Sequence, residues 1–165
     1  MISLGFGAKL PPYHNIISHC FSLNQNFFMP TIDGYTNLKK EVKRLEPKLI
    51  RSGPVIFSEI LEYSIELAKY FKVVDKKQYI VLLVATDGDI FDITPIHKLL
   101  KQAHDLPLSI LVAGIGEVAE QVLYKIKFEG RSKRKKAMVD GVVGDTEEST
   151  REIFHYFNYD AVRGD

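Results

Sequence analysis

Acidic side chains follow an apolar segment in the middle of the chain. Residues 79–85 are all apolar, and Asp87, Asp89 and Asp92 come soon after them. Carboxylate oxygens are the ligands that hard cations such as Mg²⁺ and Ca²⁺ prefer in proteins. The spacing therefore predicts either a cation site at the end of a strand or a polar loop with solvated or capping carboxylates.

The pair Asp87-x-Asp89 resembles the haloacid-dehalogenase-type phosphatases, which carry Asp-x-Asp after an apolar strand. The resemblance implies a magnesium-dependent enzyme with Asp87 as nucleophile and Asp89 as general acid. That family needs a Ser or Thr after the next strand to hold phosphate, and here residues 113–116 read Ala-Gly-Ile-Gly. The phosphatase is therefore the alternative, and a non-catalytic function is the main hypothesis.

A glycine-rich turn follows the second apolar run. Residues 114–119 match G-x-G-x-x-A, a pattern that can bring a helix N-terminus to a pyrophosphate. Glu117 lies inside the pattern and would repel phosphate. We expect a tight strand-to-helix turn here, without a bound nucleotide.

A basic loop is predicted between residues 131 and 136. Its cationic side chains are Arg131, Lys133, Arg134, Lys135 and Lys136. A solvated loop is the simplest interpretation. Contact with anionic lipid headgroups, at about 1 kcal/mol per basic residue near such a surface, is an alternative, as is a nuclear-import or RNA-contacting patch. The net charge of the chain is +1, so no overall attraction to nucleic acid exists and no nucleic-acid partner is expected.

Apolar periodicity predicts the elements that position these loops. Strands are predicted at 2–6, 18–23, 79–85, 108–115 and 152–157. Helices are predicted at 35–50, 57–71 and 118–126, and one more is predicted to begin with Thr94 as N-cap and Pro95 at the first helical position. The run at 79–85 lacks polar alternation, which is typical of a parallel strand covered on both faces. The pattern indicates an α/β fold, in which ligands bind at the carboxyl ends of the strands.

Composition limits the classes of protein that the chain can belong to. Its 165 residues are 45% hydrophobic and 26% charged, which excludes overall disorder and predicts one domain. No apolar run approaches the about 20 residues of a membrane helix, and the first residues lack the pattern of a signal peptide. The single cysteine excludes an intramolecular disulfide and a Cys-rich zinc site. We therefore expect a cytoplasmic protein.

Several sequence blocks together resemble the copine-type von Willebrand factor A domain. In order they are LGFGAKLPP at 4–12, SHCFSLN at 18–24, GPVIF at 53–57, YIVLLVATDG at 79–88, LPLSI at 106–110, GIG at 114–116 and REIF at 151–154. The resemblance implies a doubly wound, mostly parallel, Rossmann-like sheet flanked by helices. It implies a copine A domain at residues 1–160, followed by a tail at 161–165.

The same resemblance implies a degenerate metal-ion-dependent adhesion site. Of the three loops that build this site in the fold, the Asp-x-Ser-type loop follows a first strand that would precede Met1. The second loop supplies a Thr where this sequence has Val55, and the third supplies an Asp that matches Asp87. Since Mg²⁺ and Ca²⁺ need several oxygen ligands, we expect weak binding of either ion at most, and no cofactor in the isolated chain.

The first strand of the family would lie between the strands that contain Leu4 and Leu82. Without it, the domain is N-terminally incomplete and both neighbouring strands have unpaired edges. We therefore expect self-association, unless another segment of the chain fills the gap.

The main hypothesis is a non-catalytic, intracellular protein-binding domain of a copine-like protein. Its ligand would contact Val55, Asp87, Asp89, Asp92 and Glu117. The resemblance implies a place in calcium-dependent phospholipid-binding and signalling machinery, because copines also carry paired C2 domains, and the basic loop would make the protein membrane-peripheral. A fragment of a copine-domain RING ubiquitin ligase is a further alternative.

Overall fold

The computed structural model describes residues 1–87, 90–116, 126 and 152–163. The chain divides into two compact units. The first comprises Met1–Ile60 and Ile90–Asp92, and the second comprises Leu61–Asp89 and Ile93–Asp165. The division into a domain at 1–160 and a tail at 161–165 stays a prediction.

The first unit contains short antiparallel strands and one long helix. The strands are β1 (Leu4–Gly5), β2 (Ala8–Lys9), β3 (Ile17–Ser18), β4 (Phe21–Ser22) and β5 (Ile50–Arg51). β1 pairs with β4, and β2 lies between β3 and β5. The strands predicted at 2–6 and 18–23 are thus shorter than expected. Gly7 directly follows the first of them with a φ of 71°, which strands do not adopt and glycine adopts without steric cost.

Helix α1 (Gly34–Leu45) is shorter than the helix predicted at 35–50. A 3₁₀ turn that contains Pro47 follows it at Glu46–Lys48, because proline disturbs the last turn of an α-helix. Leu45 packs in a small core with Ala8 and Phe21. Tyr35, however, is exposed, so the apolar positions of this helix are buried only in part.

Helix α2 (Ser58–Val74) extends the helix predicted at 57–71. The apolar positions whose periodicity predicts this helix form one stripe, and almost all of them are buried. They are Phe57, Ile60, Leu61, Ser64, Ile65 and Ala68, with Phe71 partly buried. Spacing of three and four residues places them on one side of the helix, where they contribute to the core.

The second unit contains a parallel sheet. β6 (Ile80–Thr86), β7 (Leu108–Gly114) and β8 (Phe154–Asn158) pair in that order, with Leu82 opposite Ile110 and Ile110 opposite Phe154. Helix α3 (Ile93–Ala103) connects β6 to β7, and the short helix α4 (Tyr159–Arg163) follows β8. The α/β fold with parallel strands is therefore confirmed. α3 begins at Ile93, so Thr94 lies inside the helix and is not its N-cap as predicted.

Central strand β7 and edge strand β6 are buried to different extents. Leu108, Ile110 and Val112 of β7 have no exposed surface. In β6, burial alternates, and Val81 and Leu83 are 57% and 65% exposed. The prediction that the run at 79–85 is covered on both faces is therefore wrong, because only one face of β6 contributes to the core and the side chains of Val81 and Leu83 lie on the other.

The helix predicted at 118–126 lies outside the described residues, except for Ile126, which is helical and buried. Within the part of the chain that the structure describes, none of the helices combines the length and hydropathy that crossing a bilayer requires.

Candidate functional site

Val55 lies in the loop between β5 and α2. It forms an isolated parallel bridge with Ile90, and its carbonyl oxygen accepts the Phe91 N–H at 3.2 Å. Its side chain is half-buried, and a β-carbon added to Gly7 would lie 3.3 Å from its Cγ2. Val55 thus fills an apolar position between two backbone segments, and its side chain offers no oxygen to a cation.

Asp92 connects the same region to the first turn of α2. Its Oδ1 accepts the Phe57 N–H at 3.0 Å, and its Oδ2 accepts the Ser58 N–H at 2.7 Å. The first N–H groups of a helix have no partner within the helix, and a carboxylate there also interacts favourably with the helix dipole. The carboxylate of Asp92 therefore caps α2, and both of its oxygens are engaged by backbone groups.

His19 and Cys20 belong to the same unit and were not singled out by their sequence pattern. His19 Nδ1 accepts the Ile56 N–H at 3.3 Å, which ties the loop at Val55 to the turn between β3 and β4. Partial burial, together with the negative charge of Glu59, raises the pKa of the Cys20 thiol. The thiol is protonated at neutral pH and is a poor nucleophile or metal ligand in that form.

Asp87 lies in the second unit, directly after β6. It is exposed, at the carboxyl end of the parallel sheet, where the sequence pattern places it. The Ile115 N–H donates to the Thr86 carbonyl at 2.9 Å, which fixes the backbone immediately before Asp87. The predicted partner of Asp87, Asp89, lies outside the described residues.

The glycine-rich turn after β7 uses a backbone donor that a phosphate would require. Gly116 has a φ of 81°, a conformation that favours glycine, and its N–H donates to Asp160 Oδ2 at 2.8 Å. Asp160 is placed by α4, whose first turn is capped by Asn158 Oδ1. Asn158, directly before this short helix, is an N-cap signal that the sequence alone could have shown. The rest of the predicted turn, from Glu117 onward, lies outside the described residues.

The predicted site residues are divided between the two units. Val55 and Asp92 belong to the first unit, where backbone groups contact them, whereas Asp87 belongs to the second. Glu117 and the basic residues of the predicted loop lie outside the described part of the chain. The latter are Arg131, Lys133, Arg134, Lys135 and Lys136.

The described residues do not fit the metal ion of an adhesion site. None of the His, Cys, Asp or Glu side chains within the described ranges form a group of three that could hold a cation. Val55 is apolar, and Asp92 already accepts two N–H groups. Among the predicted site residues that the structure describes, Asp87 is an exposed carboxylate, and one carboxylate supplies fewer oxygen ligands than Mg²⁺ or Ca²⁺ requires.

A family model and individual relatives were compared with this sequence. The copine family model matches residues 1–163. Similar proteins include Copine-C of Dictyostelium discoideum, and Protein BONZAI 1 and Protein BONZAI 2 of Arabidopsis thaliana, each 33% identical over 112 residues, or 68% of this chain. The aligned segment spans only 19 to 20% of the length of these relatives. Because the family model covers nearly the whole sequence, the chain belongs to the copine family.

Proposed function

We propose that this chain is a non-catalytic protein-binding domain of the copine type, with a degenerate metal site. The observation that carries the proposal is the family match over residues 1–163. The parallel sheet supports it, because open α/β folds of this kind bind ligands at the carboxyl ends of their strands. Asp87 is exposed at that edge and is therefore available to a ligand.

Several polar side chains are already engaged in hydrogen bonds or held in an unreactive form, which supports a function without catalysis. Asp92 caps α2, Asp160 accepts the Gly116 N–H, and the raised pKa of Cys20 keeps its thiol protonated. An active site needs a nucleophile, a base and a group that orients the base. The described residues at these loops offer no such set, which favours binding over the phosphatase alternative.

The ligand we propose is an intracellular protein that contacts Val55, Asp87, Asp89, Asp92 and Glu117. Asp87 contributes a solvated negative charge, so the complementary surface is expected to carry a Lys or Arg. Asp92 contributes mainly by holding the start of α2 in place, because its two oxygens are engaged. Binding would not require a divalent cation, since Val55 cannot supply the oxygen ligand that the family's Thr supplies.

The wider role of the protein is also a proposal, because the chain spans about a fifth of the relatives it matches. A place in calcium-dependent phospholipid-binding machinery would need lipid-binding modules elsewhere in the protein or the basic loop at 131–136. The loop would give salt-sensitive binding to anionic vesicles, which substitution of its basic residues by Gln would abolish. Either arrangement would place the protein at or near a membrane surface.

Affinity capture tests the protein-binding proposal. The immobilised chain, its Asp87→Ala variant and the matched Asp105→Ala variant are exposed to cytosol with Mg²⁺, with Ca²⁺ or with a chelator. Asp105 is a suitable control because its side chain is 88% exposed in a different loop of the same unit. We expect one protein that is retained equally in all three buffers, lost with Asp87→Ala and kept with Asp105→Ala.

Two results would contradict the proposal. Retention that depends on a divalent cation would mean that the metal site is intact. Hydrolysis of an aryl phosphate that Asp87→Asn abolishes would mean that the chain is an enzyme and would favour the phosphatase.

A further inference from the structure

We propose that the loop at residues 24–29 inserts its apolar side chains into the surface of an anionic phospholipid bilayer, without the help of calcium. The loop lies in the first unit, between β4 and α1. This inference concerns residues other than those of the proposed ligand site, and it does not depend on that proposal.

The tip of the loop exposes three consecutive large apolar side chains. Phe28 is 97% exposed and Met29 is 66% exposed, and Phe27 beside them is more than half exposed. Single exposed apolar residues are common on protein surfaces, but a contiguous group of them marks a surface that contacts a partner or a membrane. The loop tip is therefore an interaction surface.

Hydrogen bonds within the loop hold this tip in place. The side chain of Asn24 donates to the Met29 carbonyl at 2.8 Å and accepts the Asn26 N–H at 2.9 Å. Asn26 Oδ1 in turn accepts the Met29 N–H at 3.1 Å. Both backbone groups of Met29 are thus paired inside the protein. Burial of a polar backbone group without a partner is costly, so this pairing lets the tip leave water at a smaller cost.

The surface beside the loop is basic. The Gln25 side chain accepts a hydrogen bond from the Arg44 guanidinium at 2.9 Å, which places α1 next to the start of the loop. The charged residues of α1 are Lys39, Lys40, Lys43 and Arg44, with Glu41 as the one acidic residue among them. Residues 22–32 contain no charged side chain. The loop therefore combines an apolar tip with neighbouring positive charge, and no acidic residue of the loop repels an anionic surface.

An anionic bilayer matches this combination. Apolar side chains at a membrane interface enter the boundary between headgroups and acyl chains, and basic residues nearby interact with the anionic headgroups. A protruding loop tip can enter this boundary without a complementary groove, whereas a protein partner would have to supply an apolar pocket with an acidic rim. Neither contact with lipid uses a divalent cation, so we expect binding to be independent of calcium.

Tryptophan fluorescence tests the insertion directly, because the chain contains no tryptophan. Phe28→Trp places a single reporter at the tip. Tyr13→Trp is the matched control, since Tyr13 is 82% exposed in the loop between β2 and β3 of the same unit. With vesicles of equimolar phosphatidylcholine and phosphatidylserine and a chelator, the emission of Phe28→Trp should shift to shorter wavelengths. Lipids brominated on their acyl chains should quench it, and the emission of Tyr13→Trp should not change.

Three results would overturn the proposal. The first is an emission spectrum of Phe28→Trp that the vesicles leave unchanged, which is also what binding through the basic loop at 131–136 alone would give. The second is a shift without quenching by brominated lipid, because the side chain would then not reach the acyl chains. The third is an equal response of the two variants. A shift caused by cytosolic protein and not by vesicles would mean that the loop binds a protein instead.

Vesicle co-sedimentation measures how much the apolar tip contributes. In the same vesicles, Phe28→Ser should lower the bound fraction several-fold, because a polar side chain gains nothing from the acyl chains. Tyr13→Ser should bind as the unmodified chain does. Equal binding of Phe28→Ser and the unmodified chain would contradict the proposal, and melting temperatures check that both variants are folded.

A second set of variants tests the basic residues beside the loop. Lys40→Gln with Lys43→Gln should weaken binding to vesicles that contain phosphatidylserine. Lys76→Gln with Lys77→Gln removes the same charge from exposed positions in the second unit and should leave binding unchanged. An equal loss with the two pairs would mean that overall charge, and not the surface beside the loop, drives the binding.

Discussion

Ser58 begins α2 with its backbone N–H donated to Asp92 Oδ2 at 2.7 Å, although 34 residues separate the two in the sequence. The adjacent Phe57 N–H donates to the other oxygen of the same carboxylate. One side chain thus satisfies two backbone donors at the start of the helix that carries the apolar stripe of the fold.

We predict that Asp92→Ala lowers the free energy of unfolding by about 1–2 kcal/mol, because it leaves two backbone N–H groups without an acceptor. Asp33→Ala is the matched control, since Asp33 precedes α1 without a side-chain capping bond and its loss should be close to neutral. Urea unfolding followed by circular dichroism measures both variants. If Asp92→Ala had the same free energy of unfolding as the unmodified chain, water would replace the Asp92 carboxylate at little cost.

A second prediction concerns the apolar stripe of α2. Ile65 is 1% exposed, so Ile65→Asp buries a carboxylate without a counter-charge and should lower the free energy of unfolding by at least about 3 kcal/mol. Val73→Asp places the same charge on the exposed side of the same helix, where the change should stay within about 0.5 kcal/mol. Thermal melting of both variants checks this. An unshifted transition for Ile65→Asp would mean that the stripe is not part of the core.

Parallel pairing of β6 with β7 was predictable because both segments are continuous apolar runs, and α2 was predictable from its periodicity. The exposure of Val81 and Leu83 was not predictable from the same run. The sequence shows that a side chain is apolar, but it does not show whether the face of the strand that carries it is covered. That depends on the elements that pack against each face. Sequence periodicity therefore identified the strand and did not show that one of its faces is open.

The site was less predictable than the fold. Asp87 follows a recognisable strand, and its position at the strand end could be inferred. The role of Asp92 as a cap and the bond from Gly116 to Asp160 join residues 34 to 44 positions apart, and no local pattern connects them. Acidic residues in loops look alike in a sequence, whether they face solvent or accept backbone N–H groups.

The thiol of Cys20 gives a prediction about pH. Burial, and to a smaller extent the charge of Glu59, raises the pKa of Cys20 above the 9.0 of an unperturbed thiol. The rate of alkylation by iodoacetamide should therefore rise with a midpoint above that value. Glu59→Gln should move the midpoint down, whereas Glu62→Gln, at an exposed position on the same helix, should not. A midpoint at or below 9.0 would contradict the raised pKa.

The same shift affects stability with a defined sign. In the window above pH 9.0 the unfolded thiol loses its proton while the folded thiol keeps it, so the folded state binds more protons. The free energy of unfolding must then fall as the pH rises through this window. Cys20→Ala removes this contribution, and the stability of the variant should fall less steeply than that of the unmodified chain. Denaturant titrations at several pH values measure the free energy of unfolding. If this free energy fell equally steeply with pH in Cys20→Ala and in the unmodified chain, Cys20 would not contribute.

The last prediction concerns metal binding. Asp87 is the one described residue that offers a free carboxylate at the position of the adhesion site, and Val55 offers no oxygen. A cation held by one carboxylate and water gains little over its own hydration shell. Titration calorimetry should therefore detect no stoichiometric binding of Mg²⁺ at millimolar concentration. Val55→Thr, which keeps the size of the side chain and adds a hydroxyl, should not restore binding on its own.

Addition of a strand and its Asp-x-Ser-type loop ahead of residue 1, together with Val55→Thr, should create a site that Asp87→Ala removes. The extended chain with Val55 retained is the matched control, because it tests whether the Thr hydroxyl is required once the other ligands are present. If the unmodified chain binds Mg²⁺ stoichiometrically and Asp87→Ala abolishes the binding, then residues outside the described ranges, Asp89 first among them, must complete the coordination, and the site is not degenerate.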